Sequence, residues 1–262
     1  MTNAALHVAR TGLDAQDSRM QVIANNLANV NTTAFKRDRA NFETLDYQQI
    51  TAPGAPSSDT NKYATGLNLG TGVKILATSR IDTQGSLQTT DRSLDLAISG
   101  QGYFQVMKPD GTLAYTRDGS FTTDAEGNIV TSDGLPLQPQ IQIPPNSTNV
   151  TIAPDGTVSA ALQGQASTTT VGKIQTARFQ NPSGLQAQSN NLLIETAASG
   201  APQVGDAGID GRGTISQGSL ESSNVDITQE LVDMIETQRA YEVNSKVIKG
   251  TDEMLQYANQ QL

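Results

Sequence analysis

The chain has 262 residues, enough for one or two domains, and a lean aliphatic make-up: 36% hydrophobic, 4% aromatic, no Trp and no Cys. The missing cysteines exclude disulfides, thiol nucleophiles and thiolate metal sites. A net charge of −9 and a pI near 4.5 disfavour nucleic acid or an anionic membrane as the main partner. No apolar run reaches the roughly 18–20 residues of a spanning helix, and the N-terminus lacks a basic-then-apolar leader. Neither bilayer insertion nor a cleaved signal peptide is therefore expected.

Residues 1–34 form the first predicted element. Leu6, Leu13, Met20 and Leu27 lie seven apart, and Ala9, Gln16, Ile23 and Val30 interleave with them. This is the heptad of a coiled-coil helix, and Ala, Leu, Arg, Gln and Met favour it. The helix ends among asparagines, Asn25, Asn26, Asn29 and Asn31. Asn favours caps and turns over helix interiors. The cluster is therefore either a fraying end or a set of amides bonded to neighbouring backbone.

Residues 35–80 read as an arm. From Thr51 to Lys62 there is almost nothing to bury, so 47–63 is expected to be exposed, with Pro53, Gly54 and Pro56 between Tyr47 and Tyr63. Residues 81–222 read as β-structure. Leu94, Leu96 and Ile98 alternate with Asp95 and Ala97, and short apolar runs follow, among them Tyr103–Met107 and 141–143. Asp-Gly pairs begin at 110, 118, 133, 155 and 210, which argues for an antiparallel sandwich or barrel. The tetrapeptide Gln-Gly-Ser-Leu occurs at 84 and again at 217, at the two ends of this region, suggesting adjacent roles at its neck.

Residues 223–262 form the last element. Ile227, Met234, Tyr241, Ile248, Leu255 and Leu262 make an unbroken heptad column. A second column begins at Leu231 and turns polar, while Ala240, Val243, Val247, Met254 and Tyr257 widen the apolar face. A helix of this length spans on the order of 50 Å and calls for partner helices. Asp226 followed by Gln229 is a capped start. Residues 1–40 hold five basic and three acidic groups, and 220–262 three basic and eight acidic, which favours pairing of the two ends. The predicted fold is α+β: paired N- and C-terminal coiled-coil helices and a mainly antiparallel β central domain. One pair of helices cannot bury all these columns, so further copies of the chain are the expected partner.

Catalytic chemistry has little to build on. His7 is the only histidine and sits on a predicted coiled coil, which argues against a triad or a metal cluster. Gly100-Gln-Gly-Tyr-Phe lacks the third glycine and the helix of a dinucleotide loop, and its glycines suit a tight turn into a strand. Asp118, Asp124, Glu126 and Asp133 stand near turns at spacings that fit no Ca²⁺ loop. No cofactor is expected. A secreted β-rich glycan hydrolase using Asp118 and Glu126 is the alternative from another functional class.

The segments Ala24-Asn-Asn-Leu-Ala-Asn-Val-Asn-Thr-Thr-Ala-Phe-Lys and Asn224-Val-Asp-Ile-Thr-Gln-Glu-Leu-Val-Asp-Met-Ile-Glu-Thr-Gln-Arg-Ala-Tyr-Glu-Val-Asn-Ser-Lys resemble the two signatures of the flagellar rod and hook family of axial proteins. Ser99-Gly-Gln-Gly-Tyr-Phe-Gln-Val and Tyr115-Thr-Arg-Asp-Gly-Ser-Phe resemble its central block. Asn25, Asn26, Leu27, Asn29, Asn31 and Phe35 are the motif positions. Order, spacing and length are most similar to the distal-rod members, with hook and proximal-rod members as rivals. The resemblance implies a subunit that polymerises into a straight, rigid tube passing torque through the cell envelope. Leu6, Leu13, Met20, Ile23, Leu27 and Val30 on one helix, and Ile227, Leu231, Met234, Tyr241, Ile248 and Leu255 on the other, would be its assembly seams. Tyr47, Pro53, Gly54, Pro56 and Tyr63 would belong to a rod-stiffening arm. The implied partners are more copies of the chain, proximal rod proteins, the hook protein, the P-ring and L-ring proteins and, during assembly, a rod cap. The implied location is the periplasm-spanning basal body, reached by flagellar type III export, with chain ends that order on assembly. One departure is Ala34, where relatives often carry Gly; an Ala there predicts that the chain does not take a positive-φ bend.

Overall fold

The computed structural model describes residues 2–56, 61–163 and 167–260. The chain divides into two compact units. One holds both helices and Asp38–Arg80; the other holds Asn29–Arg37 and Ile81–Val225.

The first unit is built on α1 (Thr2–Ala28) and α2 (Ile227–Gln260), 27 and 34 residues long. They run antiparallel: Gly12 faces Asn244, Arg19 pairs with Asp233 at 3.3 Å, and Asn26 bonds to Glu230 at 3.2 Å. The expected N-cap of α2 is present, because Asp226 Oδ1 accepts the N–H groups of Thr228 (2.9 Å) and Gln229 (3.3 Å). Gln229 does not complete a capping box; its amide donates onward to Asp233. The strands Asp38–Thr44 and Val73–Arg80 pair antiparallel with a bulge between Asn41 and Phe42, and α1 also contacts this ribbon. The arm is an ordered hairpin rather than an irregular loop. Gln48–Thr51 pairs with Leu67–Leu69, and a bridge from Pro56 to Lys62 extends it. Residues 57–60 of the arm lie outside the described residues.

The second unit is the β region. Its largest sheet has seven strands and stays open. Its path runs from Gln186–Ala187 through Leu193–Ile194, Leu113–Thr116, Tyr103–Met107 and Gln175–Arg178 to Gln203–Asp206, and Leu137–Gln138 pairs beside Tyr103–Met107. Ser147–Ile152, Thr157–Leu162 and Thr168–Lys173 form a second antiparallel sheet. Leu96, Ile98, Phe104, Phe121, Ile129, Leu137 and Ile174 centre the core. Phe104 meets Phe121 there at 5.1 Å, and in a second cluster Tyr115 meets Phe179 at 4.7 Å, both edge-on. Four turns share one pattern, in which residue i donates to the carbonyl of i+4: Lys108 to Thr112, Asp124 to Asn128, Thr131 to Leu135 and Ala153 to Thr157. Each carries a positive-φ glycine (111, 127, 134, 156) in its fourth position. Three of the four are the expected Asp-Gly pairs.

Three expectations are corrected. Leu96, Ala97 and Ile98 are all buried, as is Asp95, so this strand is covered on both faces instead of alternating. Ile141 and Ile143 are buried but belong to no strand, because Pro139, Pro144 and Pro145 remove the flanking backbone donors. Ala34 does take the bend it was expected to avoid, at φ 58. Its N–H donates to Glu221 O at 2.8 Å and its methyl is buried, so tertiary contacts hold an alanine in the left-handed region. Gly100 (φ 113) and Gly102 (φ 143) turn the chain into Tyr103–Met107 as expected. The two Gln-Gly-Ser-Leu segments lie side by side: Leu87–Thr89 pairs antiparallel with Ser219–Glu221.

Candidate assembly surface

The apolar columns of α2 do not face α1. Glu230 and Thr237, seven residues apart, are buried, and Asn244, seven further on, stands 3.1 Å from where a Cβ on Gly12 would lie. On α1 the buried positions are Ala9, Ala15, Ile23 and Asn26. Gln16 Oε1 is buried there without a hydrogen-bond partner. The helices therefore meet along a narrow, largely polar seam. Of the expected α2 column, Met234 and Ile248 are half-buried, whereas Ile227, Leu231 and Tyr241 are exposed. The side chain of Leu255 and the whole of Leu262 lie outside the described residues. Leu6, Leu13, Met20, Leu27 and Val30 are half-buried. Val232, Ile235, Val243, Val247, Met254 (68% exposed) and Tyr257 (65%) add to the outward apolar surface. Among the described side chains, no apolar residue of α2 is buried.

The hairpin adds a second exposed surface. Tyr47 (63%), Ile50, Tyr63, Leu67 and Leu69 are all solvent-accessible, as are Pro53, Gly54 and Pro56. On the neighbouring ribbon Phe42, Ile75 and Leu76 (63%) are exposed too. Contiguous exposed apolar patches of this kind mark contact sites.

The asparagine cluster divides. Asn26 is buried and acts as a peptide surrogate: its Nδ2 donates to Asp38 O and its Oδ1 accepts the Asp38 N–H, both at 2.9 Å. Asn29 Oδ1 accepts the Thr32 hydroxyl at 3.1 Å. Asn25 and Asn31 are exposed, and Phe35 is half-buried.

Sequence reasoning missed a charged cluster inside the β unit. Glu221 is buried with Lys36 and Arg117. Its Oε1 accepts the Gly85 N–H at 3.0 Å and a bond from Lys36 Nζ, and its Oε2 accepts Arg117 Nε at 2.8 Å. Arg117 also donates to the carbonyls of Ile98 (3.2 Å), Gly100 (2.8 Å) and Gly102 (3.1 Å). Lys36 Nζ donates to Thr83 O at 2.8 Å. Burial lowers the Lys36 pKa, with Glu221 opposing. For Glu221, burial pushes the pKa up, but the Arg117 charge and the Lys36 bond outweigh it and hold the carboxyl below its ordinary range. Asn224 is a companion fastener: Nδ2 reaches Ile81 O (2.8 Å) and Thr83 O (3.0 Å), and Oδ1 accepts the Arg37 N–H at 2.7 Å. Lys36, Arg117 and Asn224 lie within the motif segments, which was the available signal. The cluster binds distant stretches of chain together, with four Arg117 and two Lys36 hydrogen bonds directed inward, so it is structural. Of the carboxylates weighed above, Asp118 and Asp124 cap their own turns, Asp118 accepting Ser120 N–H (3.0 Å) and Oγ (2.8 Å) and Asp124 accepting Asn128 N–H (2.7 Å), while Glu126 is exposed.

Two terminal helices with outward apolar columns, in a chain that also carries a β unit, define a class of structural subunits, and the comparisons specify it. The model described as Flagella basal body rod protein matches residues 6–36. The Flagellar hook protein FlgE/F/G D1 domain matches 97–160, and the Flagellar basal body rod FlgEFG protein C-terminal region matches 216–261. The chain is 51% identical to the flagellar basal-body rod protein FlgG of Buchnera aphidicola subsp. Acyrthosiphon pisum, with 98% of each chain covered. It is 48% identical to that of Caulobacter vibrioides, also over 98% of each, and 45% identical to that of Borreliella burgdorferi over 97% of each. The chain belongs to the flagellar basal-body rod protein FlgG family.

Proposed function

We infer that the chain is a structural subunit of the flagellar distal rod that builds a straight helical tube by sharing its helices among copies. The observation that carries this reading is that α2, 34 residues long, leaves every one of its described apolar side chains at least partly exposed. Burying one Leu, Ile or Met is worth roughly 1.5–3 kcal/mol, so each neighbour that covers such a column stabilises the polymer. Contacts between unlike surfaces do not close on themselves, and their product is a helical filament. The mechanism is mechanical: torque passes through inter-subunit contacts, and the chain is not an enzyme. The partners that fit are copies of itself, proximal rod proteins below, the hook protein above, the P-ring and L-ring proteins around it and a rod cap during assembly. Export is through the flagellar type III apparatus. No helix of the described residues is long and apolar enough to cross a membrane.

The test is polymerisation of the purified chain, read by sedimentation and electron microscopy. The parent forms tubes. The double variant Leu231→Asp/Ile235→Asp keeps the β unit folded by thermal melting and forms none. Tubes of normal length from that variant would count against the seam.

A further inference from the structure

The repeated Gln-Gly-Ser-Leu opens two segments, 84–91 and 217–224, that pair about a local two-fold axis inside the β unit. Leu87 faces Glu221 and Gln88 faces Leu220; Ser219 faces Thr89, and Ser222 N–H donates to Ser86 O at 2.8 Å. Exchanging the two segments reproduces these pairs. Gln84 and Gln217 therefore hold equivalent places, one at either end of the ribbon.

The two side chains make the same contact. Gln84 Nε2 donates to Ile98 O and its Oε1 accepts the Gly100 N–H, both at 3.0 Å. Gln217 Nε2 donates to Val150 O at 2.8 Å and its Oε1 accepts the Ile152 N–H at 3.0 Å. Each amide thus takes the carbonyl of one residue and the N–H two residues on, groups that a strand turns toward the same neighbour. A primary amide offers a donor and an acceptor side by side, as a peptide does, so each glutamine stands in for a strand. At Gln217 this continues a main-chain contact: Ile215 N–H donates to Pro154 O at 3.0 Å, and two residues on the side chain takes over. A further bond from Nε2 to Ser93 O at 2.8 Å fixes it.

The amides join the ribbon to different parts of the unit. Gln84 holds Leu96–Ser99, and Gln217 holds the sheet of Ser147–Ile152, Thr157–Leu162 and Thr168–Lys173. The other end of the ribbon lies where the chain crosses the unit's boundary, at Arg37, Ile81 and Val225. Those crossings are bonded to one another. Ile81 N–H donates to Arg37 O at 2.9 Å, and Asn224 takes the Arg37 N–H and the Ile81 carbonyl. Gln84 is exposed and Gln217 half-buried, so water competes for their bonds and each adds little to equilibrium stability. Resistance to force is a different quantity: it depends on whether a bond lies in the load path.

We propose that Gln217, with Gln84 as its two-fold counterpart, is a load-bearing clasp that passes force arriving at the chain crossings into the body of the β unit. This rests on the mechanical role inferred above and names residues that carry the load within one subunit.

The chain has no cysteine, so pairs of introduced cysteines take handles for single-molecule pulling on the full chain. Thr169→Cys with Thr228→Cys loads the path through Gln217, and Arg39→Cys with Asp110→Cys loads the path through Gln84. Gln186→Cys with Gln203→Cys, at opposite edges of the seven-stranded sheet, bypasses both and shows that each variant folds. At fixed force Gln217→Leu unfolds about tenfold faster along the first axis. Gln84→Leu does the same along the second, and neither variant changes the rate along the third. Equal acceleration along all three axes would make the glutamines general stabilisers, and no acceleration along the first two would put them outside the load path; either result overturns the proposal. A parent chain that forms no tubes refutes the rod reading and leaves these single-chain rates untouched, so the two failures are distinguishable.

Discussion

Glu221 neutralises one of the two cations buried beside it and gives both a hydrogen-bond acceptor. Removing one partner of a buried ion pair is costly because the other is left charged and dry, typically about 3–5 kcal/mol. Glu221→Gln keeps the shape and removes the charge, so it lowers stability by about that amount at neutral pH. The folded carboxyl titrates below its ordinary value of 4.5. Its contribution is therefore complete above that value and is lost as pH falls through the depressed folded one. Melting curves from about pH 6 to about pH 3 show a steep acid loss in the parent and a shallower one in Glu221→Gln. Equal slopes would mean that other carboxylates carry the acid sensitivity. Ala34 is the other informative position. An L-residue in the left-handed region costs about 1–2 kcal/mol, whereas its buried methyl returns about 0.8 kcal/mol. Ala34→Gly is therefore neutral to slightly stabilising. Ala34→Val puts a β-branched side chain at positive φ and lowers the melting temperature clearly. A Val variant as stable as the parent would mean that the bend relaxes freely.

The helices show what periodicity can and cannot disclose. Their existence, the Asp226 cap and the abundance of apolar columns were legible, because 3.5-residue spacing survives any tertiary context. The face joining α1 to α2 was not legible, because Glu230, Thr237 and Asn244 carry no apolar signal. On α1 the predicted column does supply buried positions, Ala9 and Ile23, whereas the apolar columns of α2 point elsewhere. In the β unit, Asp-Gly chemistry marked the turns, since a positive φ is a local demand. The Glu221 cluster escaped because its members are 104 and 185 residues from Glu221 in the chain. At Ala34, a local preference was overruled by the hydrogen bond to Glu221 O. The hairpin was legible as exposed but not as paired. A lone two-stranded hairpin is marginal in water, and this one leaves Tyr47, Ile50, Leu67 and Leu69 uncovered. A neighbour in the polymer that covers them also resists bending between subunits. Deleting residues 51–61 leaves assembly intact and gives curved polymers in electron micrographs. Straight polymers would sink the stiffening role.

For the molecule as a whole, we propose that ordering the ends and assembling are one process. Fixing a residue costs about 1–2 kcal/mol of conformational entropy, and the two helices together are long. Against that, the pair buries two alanines, one isoleucine and a row of polar groups, with Gln16 Oε1 left unpartnered. The β unit carries the principal apolar core and both edge-on Phe and Tyr contacts described above. A solitary chain thus keeps a stable β unit and a weakly held helix pair, which neighbours stabilise by mass action. Limited trypsin treatment reads this directly. Arg10, Arg19, Arg239, Lys246 and Lys249 lie on the helices. In dilute chain these sites are cut first, leaving a resistant β fragment, and cleavage slows as concentration rises through the polymerisation threshold. The free chain's circular dichroism is mostly sheet, with helix gained on assembly. If the helical sites resist trypsin equally in dilute and polymerised chain, the ends are ordered without neighbours and the coupling fails.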